Sequence, residues 1–438
     1  MVAGTKKICT SAARKPFFGT DTRWEPVINI FHWTRHLLIH QNPFRIDILA
    51  FMLSPCFNAA FIFPNAINLC IFNGMITGGN VMKRILAAGA MLLTAAMLFA
   101  YNPPAGGENI FKLSNPSLLG GAASATGGPF NELVPGSIAY NPALTAFEQR
   151  PAINAAASFL IDADGNSNLG WGFQAGAVIP NKWMVFTASV EGIFCDNPDL
   201  NIGKQTVAHL GLSKEIAENI SIGLNGYFGY FFGDGADFIL GADLGILFSF
   251  ERFGFLKNPR IGVSLLNMGK PLSSSYSVTG IDGTTNDISY PGIFTPRLSF
   301  AADLFSLGTF KNRFTGSFSV DASFPTFQNA VFDVAMGFSY NNLINLTVGW
   351  DADVRQIAVT KKASWPSVGL GLHLVISSGD SKDSWAQNEF TPSVAWQNLY
   401  GSVHDVSFGA TMYIGMTDDE APEVYLWGEQ LNFENTED

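Results

Sequence analysis

The stretch Phe314-Thr315-Gly316-Ser317-Phe318-Ser319-Val320-Asp321-Ala322-Ser323-Phe324 decides the fold. Apolar side chains stand at Phe314, Phe318, Val320, Ala322 and Phe324, and small or polar ones at Thr315, Ser317, Ser319, Asp321 and Ser323. In a strand these two sets point to opposite faces, one suited to oil and one to water. Many such strands side by side, apolar outside and polar inside, make a transmembrane β-barrel.

The same two-beat pattern recurs along most of the chain after residue 150. Ile220, Ile222, Leu224, Phe228 and Tyr230 oppose Ser221, Gly223, Asn225, Tyr227 and Gly229. Phe238, Leu240, Leu244 and Ile246 oppose Ile239, Gly241, Asp243 and Gly245, and Val406, Phe408, Ala410 and Met412 oppose Ser407, Gly409 and Thr411. Soluble sandwiches also alternate. Three features favour the membrane. The segments run to roughly 10–13 residues against about 5–6 for an ordinary strand. Their polar face is rich in Gly and Ser and poor in Lys and Glu. An export signal precedes them.

That signal is Met82-Lys83-Arg84 followed by the apolar run Ile85–Phe99 and closed by Ala100. A short basic start, an apolar core and small residues at the end are the parts of a secretory signal peptide. Residues 82–100 are therefore expected to be removed. Residues 1–81, which hold Cys9, Cys56 and Cys70 but no clean periodicity, are expected to be an upstream leader absent from the mature protein.

Composition agrees with a barrel and excludes several functions. Charged residues are only 14% of the chain, where soluble proteins have about a quarter. The formal net charge of −11 argues against nucleic acid, which needs basic patches. Beyond the signal the one cysteine is Cys195, and the histidines are His209, His373 and His404, without metal spacing. No Gly-x-Ser-x-Gly, phosphate loop or cysteine pair is present, so neither enzyme chemistry nor a cofactor or metal is expected.

The predicted fold is all-β: a 14-stranded antiparallel transmembrane β-barrel over 151–415, with an N-terminal hatch (plug) in the lumen over 101–150 and an acidic tail over 416–438. Predicted strands are 153–162, 169–179, 183–195, 204–216, 219–231, 236–250, 260–267, 294–305, 312–324, 329–340, 343–353, 366–378, 389–397 and 404–415, an even number as bacterial barrels require. Short turns at Asp234-Gly235 and Asn341-Asn342 are expected on the periplasmic side. Longer connections at 196–203, 268–293 and 379–388 are expected outside, with 268–293 an external loop. Trp171, Trp183, Trp350, Trp365 and Trp396 are candidates for the interfacial girdles.

The segment before the first strand does not alternate. It reads Leu119-Gly120-Gly121-Ala122-Ala123-Ser124-Ala125-Thr126-Gly127-Gly128, then Asn141-Pro142-Ala143-Leu144, then Arg150-Pro151, with Leu160-Ile161-Asp162 ending the strand that follows. Here the chain resembles the FadL-type family of outer-membrane transporters of long-chain fatty acids and other hydrophobic molecules, its treponemal branch above all. The resemblance implies fourteen strands, an N-terminal hatch, an apolar lumen pocket, hatch movement and lateral release into the membrane. It implies a monomer in the bacterial outer membrane whose partners are a hydrophobic small molecule (a fatty acid), membrane lipid and the barrel-assembly machinery. The chain departs from that pattern at its end: about 20 residues, many acidic, follow Ile414.

Candidate site residues follow. The hatch motif is Asn141, Pro142, Ala143, Leu144, Arg150 and Pro151; an Asn before Pro favours an extended or turn conformation and sets a bend. Asp243, Arg297, Asp303, Asp321, Asp333, Asp351 and His373 fall on the inner face, as a network holding the hatch or a ligand, or simply as a wetted wall. Gly192 and Pro198 are candidates for a lateral gap, since Gly marks bulges and Pro ends pairing. The competing function is an outer-membrane scaffold or adhesin whose loops or tail bind a partner. An apolar pocket beneath the plug separates the two readings; a lumen filled with paired polar groups speaks against lipid transport.

Overall fold

The computed structural model describes residues 101–104, 107–162, 170–195, 203–273, 276–279, 285–308, 313–377 and 387–415. The leader 1–81, the signal peptide 82–100, Pro198 and the acidic tail lie outside the described residues.

The alternating segments form fourteen wall strands. They are β1 (Ala152–Asp162), β2 (Gly170–Asn181), β3 (Met184–Cys195), β4 (Gly203–Ala217), β5 (Ile220–Phe232), β6 (Ala236–Ser249) and β7 (Leu256–Lys270). The second half comprises β8 (Thr295–Leu307), β9 (Phe314–Ser323), β10 (Val331–Tyr340), β11 (Ile344–Asp353), β12 (Ser367–Leu372, resuming at Leu374–Ser377), β13 (Gln387–Leu399) and β14 (Val403–Tyr413). Each pairs antiparallel with its sequence neighbours, and β1 pairs with β14 from Ala152↔Tyr413 to Asp162↔Val403, which closes the sheet. Closure leaves no unpaired edge, the condition for a sheet to live in lipid.

The alternation sets the faces. Along β9, Ser317, Ser319, Asp321 and Ser323 are buried while Phe314 and Val320 are exposed. Outward-facing Leu210, Phe228, Leu244, Met336 and Phe408 are 70%, 50%, 46%, 45% and 45% exposed, and they belong to a belt spread over the outer surface. A monomeric soluble protein rarely exposes more than a few hundred Å² of contiguous apolar surface. A barrel so coated is a bacterial outer-membrane protein.

Strand parity corrects the predicted placement of connections. Asp234-Gly235 joins β5 to β6 and Asn341-Asn342 joins β10 to β11, so the two lie at opposite ends of the barrel. The connection from β12 to β13 leaves from the end where β1 starts and β14 finishes, not from the end that carries 196–202. Length alone misassigned Asp234-Gly235 and 379–388, because a chain that reverses at every turn allows no choice, while Asn341-Asn342, 196–203 and 268–293 fall at the expected ends. Turns at the terminal end are mostly short, which makes it the periplasmic base; the other end is the mouth.

The connection from β7 to β8 is not a free external loop. Leu272, Tyr276, Val278, Ile288 and Tyr290 are 2–6% exposed, and Ser277–Thr279 pairs with Thr285–Asp287 as a small ribbon. Their apolar faces join Val207, Phe231 and Ile239 of the wall, so the loop folds into the mouth. Trp171, Trp183, Trp350 and Trp365 are exposed, whereas Trp396 is half-buried and stacks on His404.

Residues 101–150 pack against the inner wall. They form short turns at Ile110–Ser114, Leu118–Ala122, Pro135–Ala139 and Pro142–Phe147, and most of their side chains are buried. The glycines of the inner wall make this possible. A β-carbon on Gly245 would overlap the Asn141 amide oxygen, one on Gly223 the Pro142 carbonyl, and one on Gly262 the Ala125 carbonyl. The Gly-rich polar face of β5, β6 and β7 is a smooth seat for another stretch of backbone.

Candidate functional site

The inner segment meets the wall through three polar clusters. At the centre is Arg297. Its Nε donates to Asp321 Oδ1 at 2.6 Å, and its Nη2 donates to Asp333 Oδ2 at 3.2 Å and to the Ala123 carbonyl at 2.7 Å. Nη1 donates to Asn109 Oδ1 at 3.3 Å, and the guanidinium lies 5.1 Å from the centre of the Tyr140 ring. Asp321 also accepts from the Ala125 backbone N–H at 2.9 Å. One wall cation and its carboxylates thus grip the inner segment at Asn109, Ala123 and Ala125. Lys112 of the segment pairs with Asp351, which also accepts from Gln397 Nε2 at 3.1 Å. Ser124 reaches Ser299 at 2.8 Å.

A second cluster stands on the opposite wall. Gln174 Nε2 donates to Glu191 Oε2 at 2.8 Å, and His209 Nε2 lies 3.3 Å from Glu191 Oε1. Asn225 Nδ2 donates to Asp243 Oδ2 at 2.7 Å and to His209 Nδ1 at 3.0 Å. Asp243 Oδ1 accepts from the Asn267 N–H at 2.7 Å, and Asn267 Nδ2 donates to Glu108 Oε1 at 3.1 Å. Asn115 of the inner segment joins the other end, donating to Gln174 Oε1 at 2.6 Å. The chain of polar groups begins and finishes on the inner segment.

Glu108 ties that segment to the mouth. Its carboxylate accepts from the Tyr101 hydroxyl at 2.6 Å and the Gly292 N–H at 3.0 Å, and its carbonyl accepts from the Tyr290 hydroxyl at 3.2 Å. Asn102 and Ser289 exchange backbone bonds at 3.1 and 2.8 Å. Burial pushes the Glu108 carboxyl up to about 7, against the lowering effect of its donors.

The third cluster is at the base. Arg150 Nη1 pairs with Glu389 at 2.9 Å, and its guanidinium lies 4.8 Å from the centre of the Tyr413 ring. His373 Nε2 lies 2.9 Å from the same carboxylate, at the break in β12.

Of the predicted lumen residues, Arg297, Asp321 and Asp333 come together and Asp351 joins them through Lys112. Asp243 belongs to the second cluster and His373 to the base. Asp303 accepts from Ser317 at 2.6 Å and Asn258 at 2.7 Å, away from all three. In the motif, Asn141 Oδ1 accepts from the Ala143 N–H at 3.0 Å and caps the turn that starts at Pro142. Its Nδ2 donates to the carbonyls of Ala125 at 2.7 Å and Ile246 at 3.2 Å. Ala143 and Leu144 pack on Leu247, and the Pro151 carbonyl accepts from the Ile414 N–H at 2.9 Å. At Gly192 the wall is unbroken: β3 pairs with β2 from Asn181↔Met184 to Trp171↔Phe194 and with β4 from Val185↔Ser213 to Cys195↔Gly203.

Pairing is thinnest at β12. Its ladder with β11 covers Ile344–Gly349 alone, and that with β13 is interrupted at His373. Above it an irregular stretch fills the wall, where Trp365 N–H donates to the Asn398 carbonyl at 2.9 Å and Ser364 accepts from Trp350 Nε1 at 3.1 Å.

Glu108, Lys112, Glu191 and His209 were not singled out by the sequence reading. His209 and Asn225 fall on the inner face by alternation, which was the available signal. Nothing local marks Glu108 or Lys112, because, Tyr101 aside, the partners named here are more than 150 residues away.

The lumen retains a cavity of about 60 Å³ between the second cluster, the inner segment and the mouth loop. That volume holds a few waters and not a long acyl chain. Among the described residues this cavity is lined largely by polar residues rather than forming the expected apolar pocket, and an apolar cluster is buried above it at the mouth.

No family model matches the chain, and no curated protein does. Solved structures with a similar fold include the toluene transporter TodX of Pseudomonas putida, at 12% identity and a TM-score of 0.39, covering 67% of this chain and 97% of that one. A Pseudomonas aeruginosa FadL homologue matches at 12% identity and a TM-score of 0.41, covering 69% of this chain and 98% of that one. The CymD monoaromatic hydrocarbon channel matches at 11% and 0.40, covering 73% and 100%.

Proposed function

We propose that the protein is an outer-membrane channel for the uptake of hydrophobic molecules, with residues 101–150 as a hatch that must shift before cargo passes. One observation carries the reading: a bore occupied by the chain's own N-terminal segment bears an apolar layer just inside its mouth. Val207, Phe231, Ile239, Val278 and Ile288 line that layer, where an open aqueous pore has polar walls. A hydrophobic molecule gains roughly 0.8 kcal/mol per CH₂ by leaving water for such a surface. It gains nothing by crossing into the periplasm, which favours sideways release into lipid. The thin seam at β12 supports an exit there better than the continuous ladders at Gly192. The FadL-type resemblance points to long-chain fatty acids; the paired polar groups of the lumen speak against a long lipid held beneath the hatch, and the apolar layer at the mouth supports the broader class of hydrophobic molecules.

The hatch is tested by locking it. Ser124 Oγ and Ser299 Oγ are 2.8 Å apart, so S124C/S299C in a Cys195→Ser background is placed to form a disulfide. Uptake of a fluorescent hydrophobic probe into proteoliposomes should fall at least about tenfold when the pair is oxidised and return on reduction. Equal uptake in both states would sink the hatch.

A further inference from the structure

Resting on the channel reading, we infer that the lumen cavity is a headgroup site for amphiphiles whose polar end donates hydrogen bonds and carries no negative charge, an ammonium or a hydroxyl. Three carboxylates line it: Glu108, Glu191 and Asp243, which are 8%, 1% and 2% exposed. Each keeps acceptor capacity, because a carboxylate offers about four lone-pair positions. Asp243 accepts two hydrogen bonds, Glu191 one and Glu108 three.

Among the described residues that line the cavity, Arg297 is the one arginine, and it is already committed. Arg297 is bound to Asp321, Asp333, Asn109 and the Ala123 carbonyl, so its charge is balanced before any ligand arrives. No lysine lines the space. A carboxylate head would meet three acidic groups of like charge with no uncommitted arginine to balance it, an arrangement by which a site rejects a ligand.

A second observation points to a ligand independently of the acidic groups. The Tyr227 hydroxyl belongs to a residue that lines the same cavity and is 5% exposed, yet it has no hydrogen-bond partner. Buried polar atoms are ordinarily satisfied. Toward the mouth the same cavity is lined by Val207, Ile239 and Leu266, which give the start of a tail apolar contacts. Polar floor and apolar mouth together match an amphiphile lying head down.

The test compares octylamine, 1-octanol and octanoate, matched in tail length, by calorimetric titration of the full-length protein in non-ionic detergent at pH 7.5. Octylammonium and octanol should bind at least about tenfold more tightly than octanoate. Glu191→Gln should narrow that gap, and Tyr227→Phe should weaken the two donor-bearing probes about threefold or more while leaving octanoate unchanged. Octanoate binding as tightly as octanol overturns the inference and leaves the hydrophobic channel standing. Binding of none of the three overturns both. The wild-type series decides the matter even where a variant fails to fold.

Discussion

Arg297 has a side chain 1% exposed, and two carboxylates, a carbonyl and an amide oxygen surround it. Removing one partner of a buried ion pair costs more than the pair contributes, because the charges left behind can neither hydrate nor find new partners. Arg297→Met should therefore destabilise the protein by about 3–5 kcal/mol, read from urea unfolding in detergent. Lowering the charge on both sides with Asp321→Asn should recover part of that loss. Asp321 and Asp333 were placed on the inner face by alternation before any contact was known. That Arg297 joins them to Asn109 and Ala123 was not legible, since a two-residue period says which face a side chain takes and nothing about what lies across the bore.

At the level of elements, the contact between the inner segment and the mouth loop depends on pH through Glu108. Its carboxyl is raised from 4.5 to about 7 by burial, so the folded state holds its proton more tightly than the unfolded chain does. The stabilising contribution is complete below about pH 4.5 and is lost as pH rises through about 7, on the order of 3 kcal/mol at most. Amide protection factors at 107–113 and 285–292, which correct for the base-catalysed intrinsic exchange rate, should be higher at pH 5.5 than at pH 8. Glu108→Gln should flatten that difference, and an unchanged pH dependence in the variant would assign it to another group. The wall strands were legible because each carries its own period: all fourteen predicted segments correspond to observed strands. The mouth loop was not, because Ser and Thr at 273–279 read as external chain while Tyr276, Val278 and Ile288 turn inward. Connection placement failed for a different reason, loop length being a weaker guide than strand parity.

For the whole molecule, the outer belt is the part in contact with lipid. Leu244, mid-strand on β6, is 46% exposed on that surface. Leu244→Arg should cost about 2–4 kcal/mol for refolding into bilayers and far less into detergent micelles, measured by the heat-modifiable, faster-migrating folded fraction on unheated gels. The composition of the chain already carried this much: few charges, small residues on one strand face and large apolar ones on the other. It did not carry the charge of the cavity, because Glu108, Glu191 and Asp243 come from the inner segment and two separate wall strands.

The inner segment runs into the wall at Arg150-Pro151, at the base, while Asn102 near its other end exchanges backbone hydrogen bonds with Ser289 of the mouth loop. Such a strap peels rather than slides. On the proposed function, with residues 82–100 removed as the sequence predicts, detachment starts at the mouth, so the Asn102 bridge should part first, the Arg297 grip next and the Arg150 anchor last. On that reading the hatch is self-returning: as long as the anchor holds, the freed segment stays within reach of its own groove and reseals the bore once the load is gone.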